Sequence, residues 1–136
     1  MAGYSKNPLE KKLGIKPGFS CLIINEPDDY GNYFETLPED LEFYEMEDEL
    51  PPIDFVHYFE TKEAPLQETL DRLKRSIKKD GMIWASWLKL ASKQPSEITD
   101  AQIHEAGRKT GLVDVKVCAV SDDWSGMKFM YRKTDR

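Results

Sequence analysis

Apolar residues recur along this chain in two rhythms, short continuous runs and helical stripes, and their alternation predicts its organisation. "FSCLII" (19–24), "IDFVHYF" (53–59) and "MIWASWL" (82–88) are apolar on both alternating faces, as central strands are in a sheet covered on both sides. "LEFYEM" (41–46) alternates more loosely and suits a partly exposed strand. Between the runs lie helical signals. Asn7 as cap, Pro8 at the first position and Gly14 as stop predict a short helix, followed by a turn over Lys16 to Gly18. Tyr30, Tyr33, Phe34 and Leu37 follow i, i+3, i+4, i+7 and predict a second short helix, capped by Asp28 or Asp29. Leu66, Leu70, Leu73 and Ile77 stripe a longer helix that opens at Pro65, with Lys78 and Lys79 at its negative end and Gly81 as a left-handed stop. Thr99 and Gln102 make a capping box, Ile98 and Ile103 a staple, and Gly111 the end of the last helix. Two strands, 112–120 and 126–132, are joined by "SDDWS" and predict an antiparallel hairpin.

Strands alternating with helices and closing on a hairpin predict an α/β fold. The expectation is a three-layer Rossmann-like mixed sheet, mostly parallel with a C-terminal antiparallel hairpin, in a single domain over residues 1–136. One connection resists this layout. Six residues separate Met46 from Ile53, where a parallel crossover needs about a dozen. At about 3.3 Å per residue they reach roughly 20 Å, enough for a taut extended return, so the pattern leaves the orientation of the 41–46 strand open.

Composition narrows the classes of function. With 136 residues, 40% hydrophobic and 11% aromatic, the chain can bury a sizeable core. Its apolar runs fall far short of the roughly 20 residues of a membrane span, and residues 1–16 lack the apolar region of a secretory leader. A cytoplasmic protein without a membrane partner is expected. The net charge of -6 is unevenly spread: Pro17 to Thr61 contains no Lys or Arg but 13 of the 25 acidic residues. An acidic half repels phosphate backbones, and no basic and aromatic stripe offsets it, so no nucleic-acid partner is expected. Such a surface is a solvated face or a dock for a basic partner. Cys21 and Cys118 sit in apolar runs as reduced, buried side chains, and with His57 and His104 they form no ligand-spaced cluster, so no metal is expected.

The order helix, "KPG" turn, strand, strand, helix, "KKDG" turn, strand, helix and hairpin resembles class I S-adenosylmethionine-dependent methyltransferases. More narrowly, the opening "MAGYSKNPLEKKLGIKPG" and the ending "GLVDVKVCAVSDDWSGMKF" resemble a family of small, mainly bacterial proteins known as a domain of unknown function, themselves similar to trimmed methyltransferase domains. The resemblance implies the fold and carries no activity with it. Methyltransferases of this class follow the first strand with a pattern of the form E/D-x-G-x-G-x-G. Here Asn25, Glu26, Pro27, Asp28 and Asp29 stand there, with Gly31 beyond. Close backbone approach to a ligand favours residues without a Cβ, Pro27 removes an N–H donor, and two acids oppose a phosphate. Glu45 or Glu47 matches the acid that holds the cofactor ribose in that class, and the six-residue connection leaves no room for the strand and helix that wall its adenine.

In open α/β sheets ligands bind beyond the carboxyl ends of the strands. That rule selects the loops Asn25 to Tyr30, Glu60 to Lys62, Trp87 to Lys89 and Ser121 to Gly126. Candidate ligand-binding residues are Asn25, Glu26, Asp28, Asp29, Tyr30, Glu60, Lys62, Trp87, Lys89, Asp122, Asp123, Trp124 and Ser125, a set suited to a small polar or cationic ligand. Each also has a structural role open to it, in caps, turns or the cover of the sheet end. His57 reads as a satisfied core histidine and His104 as exposed. Neither sits beside a Ser or Cys in a triad-like arrangement, and Ser125 is outside a G-x-S-x-G elbow, so no nucleophile is assigned. The expected function is a non-catalytic ligand-binding or protein-interaction module without S-adenosylmethionine bound in the usual way. One alternative is an atypical methyltransferase, with Asn25 or Glu26 on the amino-acid end of the cofactor and Glu45 or Glu47 on its ribose. The other is an acidic scaffold that docks a basic partner.

Overall fold

The computed structural model describes residues 7–136; Met1 to Lys6, the start of the N-terminal motif, lie outside the described residues. In chain order the elements are α1 (Leu9–Leu13), β1 (Ser20–Ile24), a 3-10 turn (Tyr30–Tyr33), β2 (Glu42–Tyr44), β3 (Ile53–Phe59), α2 (Leu66–Ser76), β4 (Ile77–Leu88), α3 (Asp100–Lys109), β5 (Leu112–Ala119) and β6 (Trp124–Tyr131). They form one mixed sheet in the order β2-β1-β3-β4-β6-β5. The first four strands run parallel, and β6 lies antiparallel between β4 and β5. The three continuous apolar runs become β1, β3 and β4, because only strands covered on both faces gain from being apolar on both.

On one face α2 and α3 set Leu66, Leu70, Leu73 and Ile103 against Val56, Ile83 and Phe129. On the other, Leu9 and Leu13 of α1 pack with Cys21, Phe55 and Trp84, and the 3-10 turn adds Tyr30 and Tyr33. The Trp84 indole N–H donates to Leu13 O at 2.9 Å and ties α1 to the centre of the sheet. Gly107 lets α3 press on β6: a Cβ there would lie 2.1 Å from the Phe129 ring. The Thr99 capping box forms as expected, with Gln102 Oε1 accepting the Thr99 N–H at 2.8 Å, and Gly111 ends that helix at φ 92.

The short connection resolves the open orientation. β2 keeps only three residues, and β2 and β3 flank β1 as parallel neighbours. Residues 45–52 therefore recross β1 as an extended strap without a helix. Met46 and Leu50 pack into the α2 side of the core, and Arg72 of α2 donates to Met46 O at 3.3 Å.

Three local expectations change. Helix α2 stops at Ser76, and residues 77–81, with Lys78 and Lys79, open β4. The Lys78 ammonium reaches Asp54 at 2.9 Å across a register shift in β3. Gly81 is there for close approach, since a Cβ would stand 2.8 Å from Ile53 O. The helix expected from Tyr30 is a single 3-10 turn; Asp29 occupies its cap position without a side-chain cap, and its carboxylate accepts the Tyr33 hydroxyl at 2.8 Å instead. At α1 the cap position is Pro8, one residue later than read from the sequence.

Candidate functional site

The loops after β1, β3 and β4 and the turn between β5 and β6 meet at one end of the sheet, as the strand directions require; Leu88 pairs with Trp124 there. Their side chains do not converge on one cavity. They divide into a group that closes the sheet end upon itself and two open grooves.

The closing group is built from hydrogen bonds. Asn25, in the left-handed region at φ 59, turns its amide to Phe59 O at 3.1 Å and links the ends of β1 and β3. Glu60, 8% exposed, accepts the Tyr58 hydroxyl at 2.5 Å and the Thr61 and Lys62 N–H groups at 3.0 Å each, so its carboxylate folds the turn after β3. Lys62 extends to Glu97 at 4.0 Å across the surface. The Lys89 ammonium donates to Ser121 O at 2.8 Å and its N–H to Asp123 O at 2.8 Å, while Ser121 Oγ accepts from the Asp123 and Trp124 N–H groups. Trp124 stands edge-on to Phe59, ring centroids 5.0 Å apart. Two candidates leave the site. Trp87 points into the core beneath α2 and α3, because alternation along β4 puts Trp84 and Ser86 on the opposite face. Ser125 is a residue of β6, paired with Trp87 and Ala119, rather than of the turn.

Tyr30 anchors the loop after β1. Its ring packs edge-on against Tyr33, Phe34, His57 and Phe59. Its hydroxyl shares a hydrogen bond of 2.9 Å with His57 Nδ1, whose Nε2 is 2.8 Å from Ser86 Oγ. Sequence separation hid this chain of three. Burial pushes the His57 imidazole from 6.5 down to about 3, and holds the Tyr30 phenol well above the usual tyrosine range. His57 and Ser86 are both fully buried. A neutral imidazole and a hydroxyl closed off from solvent make a structural relay, since a nucleophile has to reach its substrate.

The first groove, about 350 Å³, lies at the carboxyl ends of β1 and β2 and gathers Asn25, Glu26, Tyr44, Glu45, Met46 and Glu47. The second, about 330 Å³, holds Asp29, Asn32, Tyr33, Ser121, Asp122 and Asp123. Asp28 is exposed beside them. A larger cavity of about 410 Å³ lies in the seam between α2 and α3 and is lined by none of the predicted site residues. On the α1 side of the sheet an apolar cleft of about 160 Å³ opens between the 3-10 turn and β2, lined by Cys21, Ile23, Tyr30, Phe34, Leu37 and Phe43 among others. Sequence reading missed this cleft; its signal was the apolar alternation of Leu41 and Phe43 in a segment too polar to be a buried strand. Burial, with the nearby Asp54 carboxylate, raises the Cys21 thiol to about 12, which leaves it an inert wall. Among the described residues no group of three or more His, Cys, Asp or Glu is arranged to hold a metal, and no helix is long and apolar enough to cross a membrane.

Residues 35–133 match the model of a family described as a protein of unknown function, DUF3052. The chain belongs to this family. No curated protein matches the sequence. Among solved structures the DUF3052 chain is similar to an S-adenosylmethionine-dependent methyltransferase of Aquifex aeolicus, with a TM-score of 0.65 and 16% identity over 90% of this chain and 87% of that one. It is also similar to precorrin-6y C5,15-methyltransferase of Geobacter metallireducens GS-15, with a TM-score of 0.61 and 12% identity over 96% and 94%. A TehB-like methyltransferase of Corynebacterium glutamicum gives 0.57 and 9% over 91% and 85%. At these identities the likeness is one of fold: a Rossmann-like, methyltransferase-like sheet.

Proposed function

We propose that this domain is a non-catalytic ligand-binding or protein-interaction module that does not hold S-adenosylmethionine in the manner of class I methyltransferases. The observation that carries the reading is the loop after β1, which is pinned by bonds to its own sheet. Asn25 is bonded to Phe59 O, Pro27 has no N–H, the Tyr30 N–H is donated to Pro27 O, and the Tyr30 side chain is held by His57. These bonds fix the course of the loop, and Pro27 withdraws one N–H from the stretch that would face the amino-acid end of a cofactor.

The groove at the carboxyl ends of β1 and β2 supports the same reading. Its carboxylates, Glu26, Glu45 and Glu47, suit hydroxyls or a cationic group, but among the described residues no Lys or Arg lines it to pair with the methionine carboxylate. β2 is the last strand of the sheet, so among the described residues no strand beyond it walls an adenine. These residues do not fit the cofactor in its usual pose. The atypical-methyltransferase reading has one observation in its favour: Asn25, Glu26, Glu45 and Glu47 share a single groove. Calorimetric titration of the full chain with S-adenosylmethionine and S-adenosylhomocysteine separates the two. No binding at cofactor concentrations of about a millimolar is expected. Saturable micromolar binding that Glu26→Ala and Glu45→Ala both abolish would replace the proposal with the methyltransferase reading.

A further inference from the structure

We propose that the outer edge of β2 is a docking site for an extended segment of another protein in which basic and apolar residues alternate. β2 pairs with β1 on one side and stands at the end of the sheet. Glu42 directs its N–H inward, to Phe19 O at 3.0 Å. By the alternation of a parallel ladder, the N–H and C=O of Phe43 point outward, the pair that an added strand takes up. The opposite edge of the sheet is guarded. β5 carries a register shift between Asp114 and Lys116, and the lysine itself, two devices that turn added strands away. β2 has neither.

The side chains at this edge specify the occupant. Phe43 is 57% exposed and Leu37 40% exposed, and with Leu41 both line the apolar cleft. An added strand would present alternate residues to that cleft and to the other face, where the exposed Glu42 lies, with Glu45 and Glu47 just beyond the strand end. Apolar side chains suit the first face and Lys or Arg the second. Pro17 to Thr61, which builds nearly all of this edge, contains no basic residue. The same charge argues against a second copy of this chain, whose acidic edge would meet its like. This inference deepens the interaction reading above, and the two fail separately: cofactor titration tests the first, and strand binding the second.

The test uses the full chain and a fluorescein-labelled, end-capped peptide of alternating Lys and Leu, read by anisotropy. Saturable binding is expected, and a peptide of alternating Glu and Leu should not bind. Phe43→Pro deletes the outward N–H while leaving the β1 ladder in place, and should weaken binding about tenfold or more. A proline at the centre of the peptide should do the same, and Glu42→Lys with Glu47→Lys should weaken binding and flatten its salt dependence. If Phe43→Pro fails to fold by circular dichroism, the proline peptide and the charge reversals carry the test. Equal affinity for the peptide with and without proline would reduce the interaction to charge alone and overturn the proposal. So would undiminished binding by a folded Phe43→Pro chain, or no binding at all. Sedimentation showing a dimer of the native chain that Phe43→Pro dissolves would assign the edge to a second copy and overturn it as well.

Discussion

Replacing His57 by Gln should abolish a specific part of the acid sensitivity of the fold. Burial holds the imidazole neutral, its folded value lowered from 6.5 to about 3, with Tyr30 at 2.9 Å on one nitrogen and Ser86 at 2.8 Å on the other. In the unfolded chain the ring titrates near its ordinary value. Between about 3 and 6.5 the unfolded state therefore binds the extra proton, and stability rises with pH across that window. The contribution is complete above about 6.5 and is lost progressively as pH falls toward the folded value. From pH 7 to pH 5 the linkage amounts to about 2 kcal/mol, and it changes little if the folded value is a full unit higher. That window lies above the range where most carboxylates titrate, so their share is small. The assay is urea unfolding at closely spaced pH values, followed by Trp fluorescence, for the native chain and the variant. The variant should be less stable at pH 7, and its stability should lose about 2 kcal/mol less than the native chain between pH 7 and 5. Parallel pH profiles would refute the reasoning, because they would mean that the buried ring is not what the acid attacks. Should the variant not fold, the carbon shifts of the His57 ring in the native chain carry the same test: no protonation above pH 5.

Two other substitutions probe the packing that places the site. Tyr30→Phe keeps the ring and removes the hydroxyl, leaving His57 Nδ1 without its partner, and should cost about 1–3 kcal/mol; a loss below about 0.5 kcal/mol in urea would mean that this bond does not hold the loop. Gly107→Ala would ordinarily stabilise a helix interior by about 1 kcal/mol, yet here the added methyl meets the Phe129 ring. A net loss of about 1–3 kcal/mol is expected, and combining it with Phe129→Leu should cost less than the two losses added, as measured in a double-mutant cycle.

Much of the fold was legible because periodicity reports burial directly. The runs at 19–24, 53–59 and 82–88 are apolar on both faces and became inner strands, and the Thr99 box fixed the start of α3. What failed depended on pairing. Gly81 looks like a helix stop, and only the approach of β3, with Ile53 O against its α-carbon, makes it a strand residue. The stripe from Tyr30 to Leu37 suggests a helix, but a chain that has just left β1 through Pro27 closes after one 3-10 turn once Tyr30 finds His57. The loop Asn25 to Tyr30 does turn at Pro27, whose C=O accepts the Tyr30 N–H, but the aspartate cap expected after it does not form. Its anchor was invisible because Tyr30 and His57 meet only through the register that sets Ile23 beside His57.

The candidate site was legible by position and illegible in its grouping for the same reason. The end of the sheet follows from strand direction, whereas the division into a closed group and separate grooves follows from sheet order. In this fold the decisive step is the strap of residues 45–52. By recrossing β1 directly, it leaves β2 with no neighbouring strand on its outer side among the described residues. The change that opens the wall of a cofactor groove is therefore the one that exposes a strand edge. Phe43 lines both the groove at the ends of β1 and β2 and the apolar cleft beside that edge. A molecule bound in the first and a strand added at the second would share that ring, so occupation of either surface should alter affinity for the other by an equal factor.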